Sequence, residues 1–300
     1  MSIKEKVIAL GFFDGVHLGH AALLRRTVEE AAARGVTPAV FTFDRVPKEV
    51  ITGTPCPLIN SPDDRKDLLR RLYGIQEIIM VPFDDEMRTT AWDDFVTNIL
   101  IKRYRAVHLV AGHDHHFGHK NQGSPELLTA KCAELGLGCD IIPKVEVAGI
   151  TVSSTYIRRL VELGQISRAN RFLGHPHTLT GTVRHGRGIG SSRLFPTANL
   201  IIPSRVLVPN HGVYATRVTL NDGNSYTAVT NVGTRPTVNN GTDVTVEACL
   251  LDFEGDLYGK TMRVEFFEHL RDEVRFDSLE ALKTQIAADV ESTRAYFQNL

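Results

Sequence analysis

The sequence predicts an α/β domain on a doubly wound parallel sheet, followed by an antiparallel β-barrel with one long C-terminal helix. Two observations carry that reading. Over the first half, short apolar runs alternate with helical patterns; from Thr178 to Leu270 the apolar spacing drops to two and no helix separates the strands. The pattern changes at His175-Pro176-His177, just after Gly174, which divides the chain into domains 1–174 and 175–300.

Five strands are predicted in the first domain: Val7 to Leu10, Pro38 to Phe43, Glu77 to Pro82, Val107 to Ala111 and Cys139 to Pro143. Helical spacing fills the intervals at Ala21 to Arg34, Asp63 to Tyr73, Trp92 to Tyr104 and Pro125 to Leu135. Ser61 is a candidate N-cap and Pro62 suits a first turn, while Gly35 suits a left-handed cap after Arg34. Alternation of this kind makes a parallel sheet covered on both faces, with ligands beyond the carboxyl ends of its strands. Three segments fall at those ends: Gly11 to His20, Thr42 to Pro47 and Gly112 to Gly123.

The first of them organises the domain. It leaves a strand, passes through glycines and enters a helix, with His17 and His20 three residues apart at the helix mouth. Free backbone N–H groups and the positive end of the helix dipole favour an anion there, and two imidazoles add donors. Gly19 permits close approach of the backbone to a ligand.

In the second domain, strands are predicted at Thr178 to Val183, Gly212 to Leu220, Ser225 to Asn231, Val244 to Phe253 and Thr261 to His269. Asn221-Asp222-Gly223-Asn224 closes a hairpin between two of them. From Ser278 to Phe297, Leu279, Leu282, Ile286, Val290 and Phe297 have helical spacing, so this segment packs as one helix on the barrel.

Composition narrows the function. Of 300 residues 42% are hydrophobic, enough for a real core, and the formal charge of −1 gives no pull toward nucleic acid or anionic membrane. Neither half has a basic stripe with interleaved aromatics, so no nucleic-acid partner is expected. No apolar run has the length of a membrane span and MSIKEKVIAL lacks a signal-peptide plan, so the expected location is cytoplasmic, with no membrane partner. Cys56, Cys132, Cys139 and Cys249 lack CxxC spacing and read as free thiols. The imidazoles of His113, His115, His116 and His119, with Asp114, form the most metal-like cluster, but adjacent loop residues rarely aim at one ion.

The stretch Gly11-Phe12-Phe13-Asp14-Gly15-Val16-His17-Leu18-Gly19-His20 resembles the HxGH signature of nucleotidylyltransferases. Its longer pattern resembles the prokaryotic bifunctional riboflavin kinase/FMN adenylyltransferases, also called FAD synthetases. Val152-Ser153-Ser154-Thr155-Tyr156-Ile157-Arg158 resembles the superfamily's second signature. The resemblance implies a Rossmann-like nucleotidylyltransferase domain. In it His17, His20 and Arg158 stabilise phosphates, Gly11, Phe13, Asp14, Gly19, Ser153, Ser154 and Thr155 bind the nucleotide, and Asp114 and Phe117 bind flavin. His17 and His20 are phosphate stabilisers here, neither bases nor metal ligands. Departures from the family pattern are Arg45 and Val46 for proline and histidine, and His115 and His116 for phenylalanine and arginine.

Pro196-Thr197-Ala198-Asn199 resembles the PTAN signature of riboflavin kinases, and Asn231 to Thr237, Asp256 to Gly259 and Leu270 to Phe276 resemble further kinase segments in order. No Walker A pattern occurs. The resemblance implies that Glu247 is the base, that Thr197 and Asn199 hold Mg²⁺, that Gly186 and Gly188 wrap ATP and that Arg271 binds flavin. Ser191 and Leu194 depart from the pattern.

The function implied is riboflavin to FMN in the barrel and FMN to FAD in the first domain, with ATP as co-substrate, Mg²⁺ as cofactor, and a monomer or weak homo-oligomer as the state. Two alternatives accompany it: a riboflavin kinase with an impaired adenylyltransferase site, and a non-catalytic flavin-binding regulator.

Overall fold

The computed structural model describes residues 4–184, 197–236 and 242–300. Contacts divide the chain into two units, Met1–Cys56 with Arg65–Ser153, and Pro57–Asp64 with Ser154–Leu300.

The first unit runs β1 (Lys6–Leu10), α1 (Leu18–Arg34), β2 (Thr37–Phe43), α2 (Pro47–Thr52), the body of α3 (Pro62–Tyr73) and β3 (Glu77–Val81). It continues through α4 (Asp85–Thr89), α5 (Trp92–Asp94), β4 (Ala106–Gly112), α6 (Pro125–Glu134), β5 (Gly138–Ile142) and a small hairpin, β6 (Glu146–Val147) with β7 (Ile150–Thr151). All five predicted strands form, each within two residues of its expected bounds. The sheet has the order β3-β2-β1-β4-β5 and every pairing is parallel. Strand order therefore reverses between β1 and β4, where an open α/β sheet places its ligands.

Residues of alternate strand position bury in opposite directions. Ile8, Leu10, Phe41, Leu109 and Ala111 pack into one layer, and Val7, Ala9, Val40 and Val110 into the other. A strand buried on both faces needs the unbroken apolar run that Val7 to Leu10 supplies. Helix α1 ends as expected, with Gly35 left-handed at φ 66° and its N–H on the carbonyl oxygens of Ala31 and Ala32.

The predicted helix Trp92 to Tyr104 is different in kind. Only Trp92–Asp94 is α-helical; Phe95–Arg103 is a π-helix, and Tyr104 N donates to Ile99 O, five residues back, at 3.1 Å. The wider turn keeps Phe95, Val96 and Leu100 buried together. Such widened turns recur beside functional sites.

The second unit begins its main run with α7 (Ser154–Glu162) and α8 (Ile166–Leu173), the latter capped by left-handed Gly174. Helix α7 opens within the Val152 to Arg158 stretch. Then come β8 (His177–Arg184), β9 (Thr197–Ile201), β10 (Gly212–Leu220), β11 (Ser225–Pro236), β12 (Thr242–Leu250) and β13 (Thr261–Arg271). They close a barrel in the order β10-β11-β12-β9-β8-β13, every pair antiparallel. Strand β9 is the member that the alternation did not predict.

The final helix, α9 (Leu279–Gln298), is capped by Ser278, whose Oγ accepts from Ala281 N at 3.1 Å. Val290 of α9 packs on Val213, Val229, Cys249 and Leu251, so the side chains of that set point out of the barrel. The segment Pro57–Asp64 joins this unit through Leu58, whose N–H donates to Arg205 O and whose carbonyl accepts from Leu207 N, both at 2.7 Å.

His177, at the start of β8, is fully buried, and that burial pushes its pKa down to about 4. The unfolded chain, with an ordinary imidazole near pKa 6.5, binds a proton that the folded chain refuses between those two values. Stability is therefore full above pH 6.5 and falls as the pH drops toward 4. From this residue alone, unfolding free energy measured in urea should be about 2 kcal/mol lower at pH 5 than at pH 7, and His177→Gln should flatten that difference.

Candidate functional site

The loop after β1 is held in an unusual backbone. Phe13 and Val16 have φ of 59° and 40°, a left-handed conformation that bulky side chains rarely adopt, and both side chains are fully buried. Burial of Phe13, Asp14 and Val16 thus fixes the path of the loop into α1. His17 caps that helix: its Nδ1 accepts from His20 N at 3.3 Å, so in the neutral ring Nε2 carries the proton. The His17 and His20 rings stack, 3.6 Å between centroids and 13° between planes.

Beside the buried His17, His20 is half-buried. Its Nδ1 is buried and has no hydrogen-bond partner among the described residues. Burial, then the neighbouring His17 and Arg65, hold its pKa well below 6.5, so the ring is neutral at pH 7. A Cβ on Gly19 would lie 3.0 Å from the His17 ring and 3.7 Å from Val152 O. The chain entering Ser153 therefore passes beside the HxGH loop, bringing the start of the second motif to the first.

Beyond Ser153 the second motif belongs to the other unit. Ser154 opens α7, Thr155 is exposed, and Arg158 is the fifth helical residue.

Next to the loop is a cavity of about 280 Å³ beyond the carboxyl ends of β1, β2 and β4. Leu10, Phe41, Phe43, Phe83, Phe95 and Phe117 give it apolar walls suited to a flat aromatic ring, and Arg88 and Lys120 border it with cations. Gly11 belongs to both the cavity lining and the start of the HxGH loop. Phe117 is fixed by a bridge to Gly123, with N–H···O bonds of 3.2 and 2.8 Å, and by Phe95 at 5.6 Å. Gly118 turns at φ 72° where a Cβ would meet the Trp92 backbone at 2.6 Å.

His115 stacks on Phe117 in this lining, and burial pushes its pKa down to about 4. Asp114, expected at the flavin, has an 83% exposed side chain and stands outside the cavity lining. Val46 is buried at the N-terminus of α2, while Arg45 is exposed and pairs with Asp44 at 3.5 Å. No three His, Cys, Asp or Glu side chains among the described residues are placed to share a metal ion, so the His113–His119 cluster forms no such group.

In the barrel, one row of pairing joins three polar residues. Asn199 of β9 pairs with Glu247 of β12, and Glu247 with Asn231 of β11. Direct partners project from the same face. Thr197 and Cys249 lie two residues away in the same phase, and Cys249 packs on the α9 side, so the row is on the outer surface of the barrel. Thr197 is exposed there, Asn199 buried and Glu247 half-buried. Asn231, which no motif assigns a role, is brought to the row by its register with Glu247.

Arg271 is committed to α9. Its Nε donates to Asp289 Oδ1 at 2.9 Å and its Nη2 to Oδ2 at 2.8 Å, with Gln285 Nε2 also on Oδ1. Glu273 overlies Gly233, where a Cβ would come within 3.4 Å of Asn231 Nδ2. Gly186, Gly188, Ser191 and Leu194, with Pro196, lie outside the described residues.

Sequence reasoning also missed Arg65. It is 1% exposed, donates from Nη1 to Phe12 O and from Nη2 to Phe43 O, both at 2.7 Å, and stacks over the Phe12 ring at 4.3 Å. Its signal was present: Arg65 shares a helical face with Leu68 and Leu69, a cation on a buried stripe.

Comparisons with known proteins agree with the two-part plan. Residues 1–156 match the family model described as FAD synthetase, and residues 173–297 match that described as riboflavin kinase. A Pseudomonas fluorescens protein named bifunctional riboflavin kinase/FMN adenylyltransferase is 37% identical, covering 96% of this chain and 92% of its own. The protein of that name from Listeria monocytogenes is 34% identical over 99% of this chain and 94% of its own. A solved structure from Streptococcus pneumoniae, titled a macrolide-efflux protein, superposes with a TM-score of 0.86 and 31% identity over 98% of this chain and 95% of that one. Among the described residues, no helix of this chain is long and apolar enough to cross a membrane.

Proposed function

Since the chain belongs to the family of bifunctional riboflavin kinase/FMN adenylyltransferases, we propose that it makes FAD from riboflavin in two ATP-dependent steps at two separate sites. Residues 1–174 are read as the adenylyltransferase and 175–300 as the kinase. Four free cysteines fit the reducing cytoplasm.

The observation that carries the adenylyltransferase half is Gly11, common to the HxGH loop and the aromatic cavity. A flavin ring in that cavity leaves its phosphate facing the helix mouth. An oxygen of that phosphate attacks the α-phosphorus of ATP, the bond to the bridging oxygen breaks, and pyrophosphate departs. No proton need be removed, because the nucleophile is already an anion. The barrier lies in bringing two polyanions together and stabilising the charge that moves to the leaving group. His17 Nε2–H, the His20 ring and the N-terminus of α1 supply fixed donors for that charge. Ser153, Ser154, Thr155 and Arg158 are read as nucleotide contacts by their motif, and Asp114 and Phe117 as flavin contacts.

In the kinase, the nucleophile is a neutral alcohol and a base is required. Glu247 takes the proton of the riboflavin primary hydroxyl as its oxygen attacks the γ-phosphorus, and ADP leaves. Thr197 and Asn199 present hard oxygens on the same face as Glu247, a donor set that fits Mg²⁺. When bound, that ion neutralises phosphate charge. Arg271, tied to Asp289, supports the flavin end through the β13–α9 junction.

Supplying FMN and ATP with Mg²⁺ tests the adenylyltransferase half without the kinase. The expected products are FAD and one pyrophosphate per FAD; FMN left unchanged would reduce the protein to its kinase.

A further inference from the structure

The geometry points to Arg65 as a positioning residue for adenylyl transfer, one that ties the wall of the flavin cavity at Phe43 to the phosphate loop at Phe12. The inference rests on the adenylyltransferase reading of the first unit.

Two carbonyls from different parts of the chain receive the two ends of one guanidinium. Phe12 O belongs to the loop that leads to His17, and Phe43 to the end of β2 that lines the cavity. A planar fork spans two acceptors at a set separation, which an ammonium cannot do. Phe12 O also accepts from Thr42 Oγ1 at 3.0 Å, so the peptide plane entering left-handed Phe13 is held from two sides. That plane directs the backbone of the loop, and the loop carries the His17 cap. The distance from flavin wall to phosphate donors is thereby set by Arg65.

Keeping a cation here is expensive for the fold. Arg65 is 1% exposed, its Nε has no hydrogen-bond partner among the described residues, and burial pushes its pKa down to about 10 despite Asp14 and Asp44 nearby. Apolar residues of similar volume commonly replace buried ionic groups with little or no loss of stability. A side chain needed only for packing would not have to be a guanidinium. What methionine lacks is the pair of carbonyl contacts.

Full-length Arg65→Met and Arg65→Lys, with wild type alongside, test this through steady-state kinetics of both reactions and thermal melting. Because small misplacements of reacting groups are costly, Arg65→Met should lower kcat for FAD formation by about 10- to 100-fold. The KM values for FMN and ATP should stay within about threefold, the pattern of an interaction made at the transition state. FMN formation from riboflavin and the melting temperature should be unchanged, and Arg65→Lys should not restore kcat. Wild-type kcat in either variant overturns the proposal, as does a joint fall of both activities with the melting temperature. If wild type itself makes no FAD from FMN and ATP, the adenylyltransferase reading fails before Arg65 is at issue.

Discussion

Replacing His20 by alanine is expected to lower FAD formation by about 10²- to 10³-fold while leaving FMN formation from riboflavin at the wild-type rate. The size follows from what the ring does. In the role proposed for it, the ring, stacked on His17 and held neutral by burial, is a donor fixed before substrate arrives, so no reorganisation is required as charge moves onto pyrophosphate. Alanine also removes the face on which the His17 ring rests and frees that ring to turn away from its cap. The kinase should be spared, because the polar row proposed for it lies on the barrel of the second unit. Separate assays of FMN and FAD production by chromatography check both halves; equal loss of both activities would contradict the two-site reading.

Glu247→Gln is expected to have the opposite selectivity. The amide keeps the size and one oxygen of the side chain but cannot take a proton from the alcohol, so FMN formation should fall by about 10²- to 10⁴-fold. FAD formation from supplied FMN should be unaffected. Asn199 and Asn231, the register partners of Glu247, remain in place in that variant, so substrate binding should persist. A KM for riboflavin close to wild type with a collapsed kcat is the expected signature.

Much of this was legible in the chain because local chemistry and fold agreed. The apolar run Val7 to Leu10, the glycines and paired histidines after it, and Gly35 at the helix end specify a strand, an anion loop and a helix without help from the rest of the molecule. The switch to period two after Gly174 specified the barrel for the same reason. What escaped depends on non-local pairing. Strand β9 has only five residues, and its identity comes from ladders to β8 and β12. The segment Pro57–Asp64 leads into a predicted helix, yet the backbone of its Leu58 bonds to Arg205 and Leu207, far along the chain. The π-helix after Asp94 repeats at a slightly wider turn than the α-helix its spacing suggested, and nothing in FVTNILIKR marks the difference.

The site divides along the same line. The paired histidines His17 and His20 stand out as an anion site by residue type, whereas Thr197, Asn199 and Glu247 are proposed from the resemblance to riboflavin kinases. Register and burial added Asn231 and Arg65. Arg271 turned out to hold Asp289 with both ends of its guanidinium, a partner 18 residues away that no motif names.

The central claim is that one chain carries both activities in sequence, and the most direct measurement starts from riboflavin alone. Incubated with excess ATP and Mg²⁺, the wild-type protein should first accumulate FMN and then convert it to FAD, with ADP and pyrophosphate appearing in step with the two flavins. FMN rising to a plateau with no FAD, or riboflavin bound and unchanged, would contradict the account.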